Sequence, residues 1–302
     1  MKLVNFLSGE SIHLGAVVDG RVFDLADVGR LLSRAFPASV EEALAGWEWE
    51  EPEIHKALDQ VRASESVLQE TARRTEEVRF APPDRTPNKI LCVFVNYHSH
   101  GQDVKAPSEP IFFFKHQDSV VGDWSDVWVP RFSSKADHEV ELGVIIGKKG
   151  KDIAAEDAYG HVAGYTVLND ISFRDGMRRG IEGTVLGRNL FKGKVADTAL
   201  PMGPALVTRD EIPDPYPLKI SLRVNGDIRQ DGSTDDMIFR IPDLIASASE
   251  GITLSPGDVI ATGTCSGVGL YTGKYLNDGD LMEAEVEGVG VLRNRVRFQT
   301  TP

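Results

Sequence analysis

The sequence predicts a mostly β fold with α+β elements: a small N-terminal α+β domain (residues 1–80), a proline-rich linker (81–88) and a larger β-rich domain (89–302). Three observations carry this reading: a hairpin signal near the start, prolines clustered around residue 85, and a long series of short β-branched runs thereafter. The apolar runs 3–7 and 15–25 form a small sheet, with Asp19-Gly20 interrupting the second as a tight hairpin turn. Over 53–78, Ile54, Leu58, Val61, Val67 and Leu68 fall near helical spacing among many charges, which predicts one exposed amphipathic helix. Pro82, Pro83 and Pro87 exclude helix and central strand and mark the linker. Beyond it, runs at 90–95, 111–114, 140–146, 164–168, 219–224, 259–261, 281–287 and 291–298 are separated by Gly, Pro, Asn and Asp, the texture of a β domain. Two helical stretches, 154–158 and 241–248, interrupt it.

With 302 residues, 41% hydrophobic and 26% charged, the chain can bury a full core and lacks the apolar depletion of disordered proteins. Lys+Arg 33 against Asp+Glu 46 leaves a formal net charge of -13, which repels nucleic acid and anionic membrane surfaces, so neither is expected as a partner. Apolar stretches fall far short of the roughly 20 residues that cross a bilayer, and the start lacks a signal-peptide core. The expected location is the cytoplasm. Cys92 and Cys265 lie far apart without CxxC spacing and are expected as reduced core residues.

The sharpest local feature is His138-Glu139-Val140-Glu141. Side chains at i and i+2 of a strand share a face, so Glu139 and Glu141 project together, opposite Val140, Leu142, Val144 and Ile146. Buried, such a pair repels unless a cation or bases lie between; the alternative is an edge strand in water. Asp170 closes the next strand pattern, either as a third ligand or as a turn or helix-capping aspartate. Three carboxylates without a Cys or His partner favour magnesium, manganese or calcium over zinc. His100 and Asp103 follow the run 90–95 and face each other if one helical turn forms, the acid then orienting the imidazole as a general base on a closing lid. Lys115 and Lys194 are either surface lysines or groups that stabilise developing negative charge in a water-poor cleft. The glycine-rich turn 262–269 matches neither GxGxxG nor the P-loop, so nucleotide binding is unsupported.

Taken in order, Asn96-Tyr97 with His100, Phe114-Lys115, Glu139-Val140-Glu141, Asn169-Asp170 with Ser172 and Arg174-Asp175, Gly193-Lys194, Asn225-Gly226 and Thr262-Gly263-Thr264 resemble the fumarylacetoacetate hydrolase family in its acylpyruvate hydrolase-like form. The resemblance implies a mixed β-sandwich or β-roll core, usually in a homodimer. It implies a divalent cation, Mg2+ or Mn2+ with Ca2+ as a third candidate, held by Glu139, Glu141 and Asp170. It further implies His100 as general base with Asp103 as its lid partner, and Lys194 beside the metal and the developing oxyanion. Lys115 and Arg174 would face substrate, the Thr264 turn would hold its carboxylate or oxo group, and Thr198 would stand in the metal's outer shell.

Two departures matter. Asp103 stands where many such members carry Glu, one methylene longer, and Met177 stands where the animal enzymes have a substrate-contacting Gln. The second argues against fumarylacetoacetate itself as substrate. The implied reaction is hydrolysis of a carbon-carbon bond in a small anionic 2,4-diketo acid, giving pyruvate and a carboxylic acid. Oxaloacetate decarboxylation, or isomerisation or dehydration of a 2-oxo acid, is the alternative that shares its enolate chemistry; a non-catalytic ligand-binding protein on this fold is the third. Arg178, Arg179 and Arg188 supply further bases between Arg174 and Lys192, as solvated loop residues or as contacts to a second carboxylate.

Overall fold

Asp19 and Gly20 both adopt positive φ (50° and 74°), the backbone of a type I′ turn, and join strands β2 (Ser11–Val18) and β3 (Arg21–Asp24) as the dipeptide predicts. The computed structural model describes residues 1–63, 72–100, 106–177 and 189–299. In it β1 (Lys2–Ser8) pairs with β2 on one side and with β14 (Leu200–Thr208) on the other, so one sheet runs from the N-terminal segment into the later one. Its order begins β4 (Ala72–Arg74), β3, β2, β1, β14. It continues through β12 (Val162–Asn169), β11 (Val140–Ile146), β17 (Val259–Thr264), β6 (Ile90–Val93) and β7 (Phe112–Lys115). The short strands β5 (Phe80–Ala81) and β8 (Val120–Val121) add to β1 and β14.

A second sheet has the order β16 (Asp227–Ser233), β15 (Lys219–Val224), β18 (Leu281–Val286), β19 (Gly290–Phe298), β9 (Asp126–Val129). β10 (Ala136–Asp137) and β13 (Ser172–Phe173) form a separate two-stranded ribbon. Pairing is mostly antiparallel, with parallel contacts at β6–β17, β8–β14 and β9–β19, so the fold is the mixed, mostly β type expected.

The large sheet is the middle layer. On one face Val140, Leu142, Val144 and Ile146 of β11 join Ile220, Leu222, Met282, Ala284 and Val296 of the second sheet in one core. On the other, Ile145, Leu168, Cys92 and Ala261 join the helices α1 (Leu25–Leu32), α2 (Val40–Ala45) and α3 (Trp47–Arg62) through residues such as Leu44, Ile54 and Leu58. All seven residues of β11 are buried because it lies between β12 and β17 with both faces covered. That disposes of the water-exposed edge strand as the setting of Glu141.

The helix expected over 53–78 is corrected. α3 starts earlier, at Trp47, and ends at Arg62, burying Ile54, Ala57, Leu58 and Val61; Val67 and Leu68 lie outside the described residues. Ala72–Arg74 is instead strand, because β3 offers it a free edge on which Arg73 pairs with Val22 and Ala72 with Phe23. Sheet pairing across long sequence distance overrides the local period there. The stretch 241–248 is helical as expected (Ile241–Ser249), while 154–158 overlaps the start of a 3-10 helix (Ala155–His161). No helix among the described residues is long and apolar enough to cross a membrane.

The proline-rich stretch is tied to both sides. Asn5 Nδ2 donates to the carbonyl of Pro82 (3.0 Å) and to Glu41 Oε2 (2.7 Å), while Lys89 reaches Asp258. Asp84 is buried here and accepts from Thr86 N–H at 2.8 Å. Burial, helped by the charges of Glu41 and Asp258, pushes its carboxyl up to about 6. Between about pH 4, where an unfolded aspartate titrates, and pH 6, the folded state binds the extra proton, so stability falls as pH rises through that window. Asp84→Asn is therefore expected to gain stability relative to the parent at pH 8 compared with pH 4, read from urea midpoints; an equal difference at both pH values would contradict it.

Candidate active site

Strand register brings the three carboxylates together. Glu139 directly precedes β11 and Glu141 is its second residue; Val140 pairs with Asn169, the last residue of β12, which delivers Asp170 alongside. Asp170 N–H donates to the Glu139 carbonyl (2.8 Å) and Asn169 Oδ1 accepts from Glu139 N–H (3.0 Å), locking the two chain ends. One oxygen from each of Glu139, Glu141 and Asp170 lies within 4.8 Å of the others, and all three residues are buried. Opposite Glu141 in β17 stands Thr264, and Gly263 N–H donates to Glu141 Oε2 at 2.7 Å. Gly263 has φ +90° and packs its bare α-carbon against Asn96, where a Cβ would lie 2.8 Å from the Asn96 Cβ.

Cations surround this group unevenly. Lys194 Nζ lies 2.6 Å from both Glu139 Oε2 and Asp170 Oδ2, and Lys115 Nζ lies 2.6 Å from Asp170 Oδ1. Arg174 donates through Nε to Asp137 Oδ2 (2.7 Å) and through a terminal nitrogen to Glu139 Oε1. Burial alone would raise the Glu139 carboxyl, but Lys194 and Arg174 outweigh it and hold it well below the usual range. The reciprocal balance holds for Lys194, where burial is overcome by Asp170 and Glu139 and the ammonium is held above its ordinary value. Glu141 has no such partner among the described residues: burial, then Asp170 and Glu139, push it well above the carboxylate range. Among the described residues, four buried carboxylates (Asp137, Glu139, Glu141, Asp170) thus meet three cations (Lys115, Arg174, Lys194). An all-oxygen donor set with one uncompensated carboxylate fits a hard divalent cation.

These groups border a cavity of about 300 Å3 lined by Glu139, Glu141, Arg174, Lys194, Thr264 and His100 among polar residues and by Phe94, Phe113, Met177, Leu270 and Tyr271 among apolar ones. His100 ends a 3-10 turn (His98–His100), and its Nδ1 donates to the Thr264 carbonyl at 3.1 Å. A carbonyl only accepts, so the bond places the proton on Nδ1 and leaves Nε2 bare. Burial, with Arg174 and Lys194 adding to it against Glu139, lowers the His100 pKa and keeps the ring neutral. Tyr271 meets His100 edge-on, ring centroids 5.8 Å apart.

Of the residues expected from the sequence, His100, Glu139, Glu141, Asp170, Arg174, Lys194 and Thr264 come together. Asp103 lies outside the described residues, as do Arg178, Arg179 and Arg188. Lys115, expected to face substrate, does not line the cavity: its ammonium is spent behind Asp170, donating also to the carbonyls of Ile171 (3.1 Å) and Lys194 (2.5 Å). Arg174 lines the cavity, yet its donors go to Asp137 and Glu139, so it holds a carboxylate as well as bordering the space. The Thr264 hydroxyl is likewise engaged, donating to the Val140 carbonyl at 2.6 Å. Thr198 points elsewhere, its Oγ1 accepting from Trp128 N–H at 2.8 Å.

Sequence reasoning missed Asp137, Gln230 and Tyr271. Asp137 is fully buried and accepts from Gly269 N–H (2.6 Å) and Leu270 N–H (2.9 Å) as well as from Arg174, fastening the turn that carries Tyr271. Its position one residue before the His138-Glu139 motif was the available signal.

A two-sheet β fold with a buried carboxylate cluster beside a neutral histidine defines an enzyme class, and the comparisons identify it. The family model described as fumarylacetoacetate (FAA) hydrolase C-terminal matches residues 89–297. The chain belongs to the fumarylacetoacetate hydrolase family. It is 43% identical over 261 residues to a human protein named oxaloacetate tautomerase FAHD2A, mitochondrial, covering 82% of this chain and 81% of that one. It is 36% identical over 307 residues to oxaloacetate tautomerase YisK of Bacillus subtilis (strain 168), covering 97% and 100%. Among solved structures, maleylpyruvate hydrolase from Sphingobium sp. SYK-6 superposes with a TM-score of 0.78 at 31% identity, over 99% of this chain and 100% of that one. The same enzyme in complex with manganese (II) ion and pyruvate gives 0.76, likewise over 99% of this chain and 100% of that one.

Glu141→Gln separates function from stability at this centre. It is expected to weaken Mn2+ binding, measured by calorimetry, by at least the roughly 10–100-fold that loss of an outer-shell partner costs a metal site. The metal-free variant should melt no lower than the metal-free parent, because it loses a carboxyl that burial disfavours. Unchanged Mn2+ affinity would exclude Glu141 as a ligand.

Proposed function

We propose that the chain is a divalent-metal-dependent enzyme of small anionic 2-oxo acids whose main reaction is enol-keto tautomerisation of an oxaloacetate-type dicarboxylate. The observation that carries this reading is that His100, with Nε2 left proton-free by the Thr264 bond, lines the same cavity as Glu139 and Glu141. The names of the relatives at 43% and 36% identity support the choice of reaction. Glu139, Glu141 and Asp170 would hold the cation, Mg2+ or Mn2+; when bound it supplies a Lewis acid for the substrate's 2-oxo and carboxylate oxygens.

The chain's own residues do the rest. His100 Nε2 removes a proton from one end of the enol-keto system and returns it at the other, so one base suffices and no water is consumed. Lys194, held charged between Glu139 and Asp170, keeps positive potential at the cavity wall where negative charge develops on the substrate oxygen. Phe94, Phe113, Leu270 and Tyr271 limit water at the reacting carbon. Hydrolysis of a 2,4-diketo acid remains the second reading, favoured by the likeness to maleylpyruvate hydrolase, and requires His100 to activate a water.

A panel of oxaloacetate and 2,4-diketo acids, assayed with Mg2+ or Mn2+ and after chelation, separates the two. Loss of the enol absorbance of oxaloacetate should accelerate without matching release of carbon dioxide; pyruvate plus a second acid from a diketo acid at higher kcat/KM would replace tautomerisation by hydrolysis. His100→Gln should lower kcat by about 10²–10⁴-fold. In the parent, kcat/KM should fall only as pH drops through a pKa below the ordinary histidine value of about 6.5, where Nε2 becomes protonated, and stay level above it. An acid limb above that value would remove His100 as the base.

A further inference from the structure

Strand β16 is an edge strand whose other residues are exposed or half-buried, and its single buried side chain is a glutamine, Gln230. A bulge puts it there: Leu222 pairs with Gln230 and Arg223 with Ile228, so Arg229 has no partner and the strand bends at the residue before Gln230. Bulges beside active sites re-aim side chains in this way. Gln230 crosses from the second sheet to the large one and uses both ends of its amide. Its Oε1 accepts from Val140 N–H (3.1 Å) and from His138 Nδ1 (3.0 Å), the residues on either side of Glu139. Its Nε2 donates to Thr264 Oγ1 (2.8 Å) and to the Cys265 carbonyl (3.2 Å). The amide orientation is forced, because Val140 N–H can only donate and the Cys265 carbonyl can only accept.

We propose that Gln230 is a positioning residue for the general base: it holds the Thr264–Cys265 backbone so that the Thr264 carbonyl meets His100 Nδ1, and ties that backbone to the strand end that carries Glu139. The proposal rests on His100 acting as base. Two neighbouring bonds complete the device. Thr264 Oγ1 accepts from Gln230 and donates to the Val140 carbonyl, so its hydroxyl proton has a single direction. The Thr264 carbonyl is then left for the imidazole. Without the Gln230 donor the Thr264 hydroxyl keeps only the Val140 carbonyl and is free to turn about it, the Cys265 carbonyl loses its anchor, and the Thr264 carbonyl is no longer fixed as the acceptor that selects the His100 tautomer.

Gln230→Glu tests this with little change of shape: the carboxylate still accepts from Val140 and His138 but cannot donate to Thr264 or Cys265. Expected are a kcat lower by about 100-fold, KM and Mn2+ affinity close to those of the parent, and a melting curve showing a folded protein. Imidazole 15N NMR, with the His100 signal assigned by its absence from His100→Gln, should show one tautomer in the parent and a mixture in Gln230→Glu. Gln230→Met, which loses both ends and cannot take up a proton, should reproduce the NMR change in a folded protein and decides the question where Gln230→Glu folds poorly at assay temperature. Thr264→Val should mimic Gln230→Glu, and the double variant should add little, as expected of one pathway. A folded Gln230→Glu with parental kcat and tautomer overturns the proposal while leaving His100 as base. A loss confined to Mn2+ affinity or KM also overturns it. A fully active His100→Gln sinks the reading of the base itself, and this proposal with it.

Discussion

Three carboxylates cannot share a dry pocket without compensating charge, and the centre of this protein is organised around that constraint. Glu139, Glu141 and Asp170 arrive together because β11 and β12 are antiparallel neighbours whose ends coincide. Two lysines and an arginine pair with Glu139 and Asp170, and all three are themselves removed from water. Each of these charges is tolerable only because of the others: removing one partner of a buried pair costs about 3–5 kcal/mol, far more than a surface ion pair is worth. Glu141 is the member without a cation partner among the described residues, and the functional reading begins there.

The surrounding fold serves this cluster from two directions. From the large sheet come the carboxylates themselves and Gly263, whose N–H reaches Glu141 because no side chain intervenes between it and Asn96. Asn96 in turn spans Phe239 and Thr262 through its amide and stands two residues before the turn that ends in His100. From the second sheet comes Gln230. The large sheet thus delivers a base (His100) and a set of acids (Glu139, Glu141, Asp170) to one cavity, and the packing of the second sheet against it brings Gln230 to their backbone. The net charge of -13 says little about that cavity, where lysine and arginine side chains stand among the acids.

Legibility in the sequence followed the range of the interaction. The Asp19-Gly20 turn, the bounds of β11 and β15, and the shared face of Glu139 and Glu141 depend on local backbone geometry, and these were readable. The helix expected over 53–78 failed in its second part, where an edge of β3 about fifty residues upstream recruits Ala72–Arg74. Lys115 follows an apolar run like a substrate-facing group, but its ammonium turns back to Asp170 and two carbonyls. Asp137 had only its place beside the His138-Glu139 motif as a signal and Gln230 had none, because their partners are fixed by sheet packing and by a bulge that no dipeptide announces.

By itself the sequence determined the chemistry available: a period-two pair of glutamates, an aspartate at a strand end, a histidine after a strand, and an ordered series of motifs that resembles one family. Those depend on residue identity and on spacings of two to four residues, which the backbone converts into geometry almost without choice. Only the tertiary structure decided which charges compensate which, which imidazole nitrogen is free, and which glutamate has no cation beside it among the described residues. The reason is that burial and pairing are properties of surroundings assembled from distant strands. The same carboxylate is an ordinary acid in water and a group in need of a cation here.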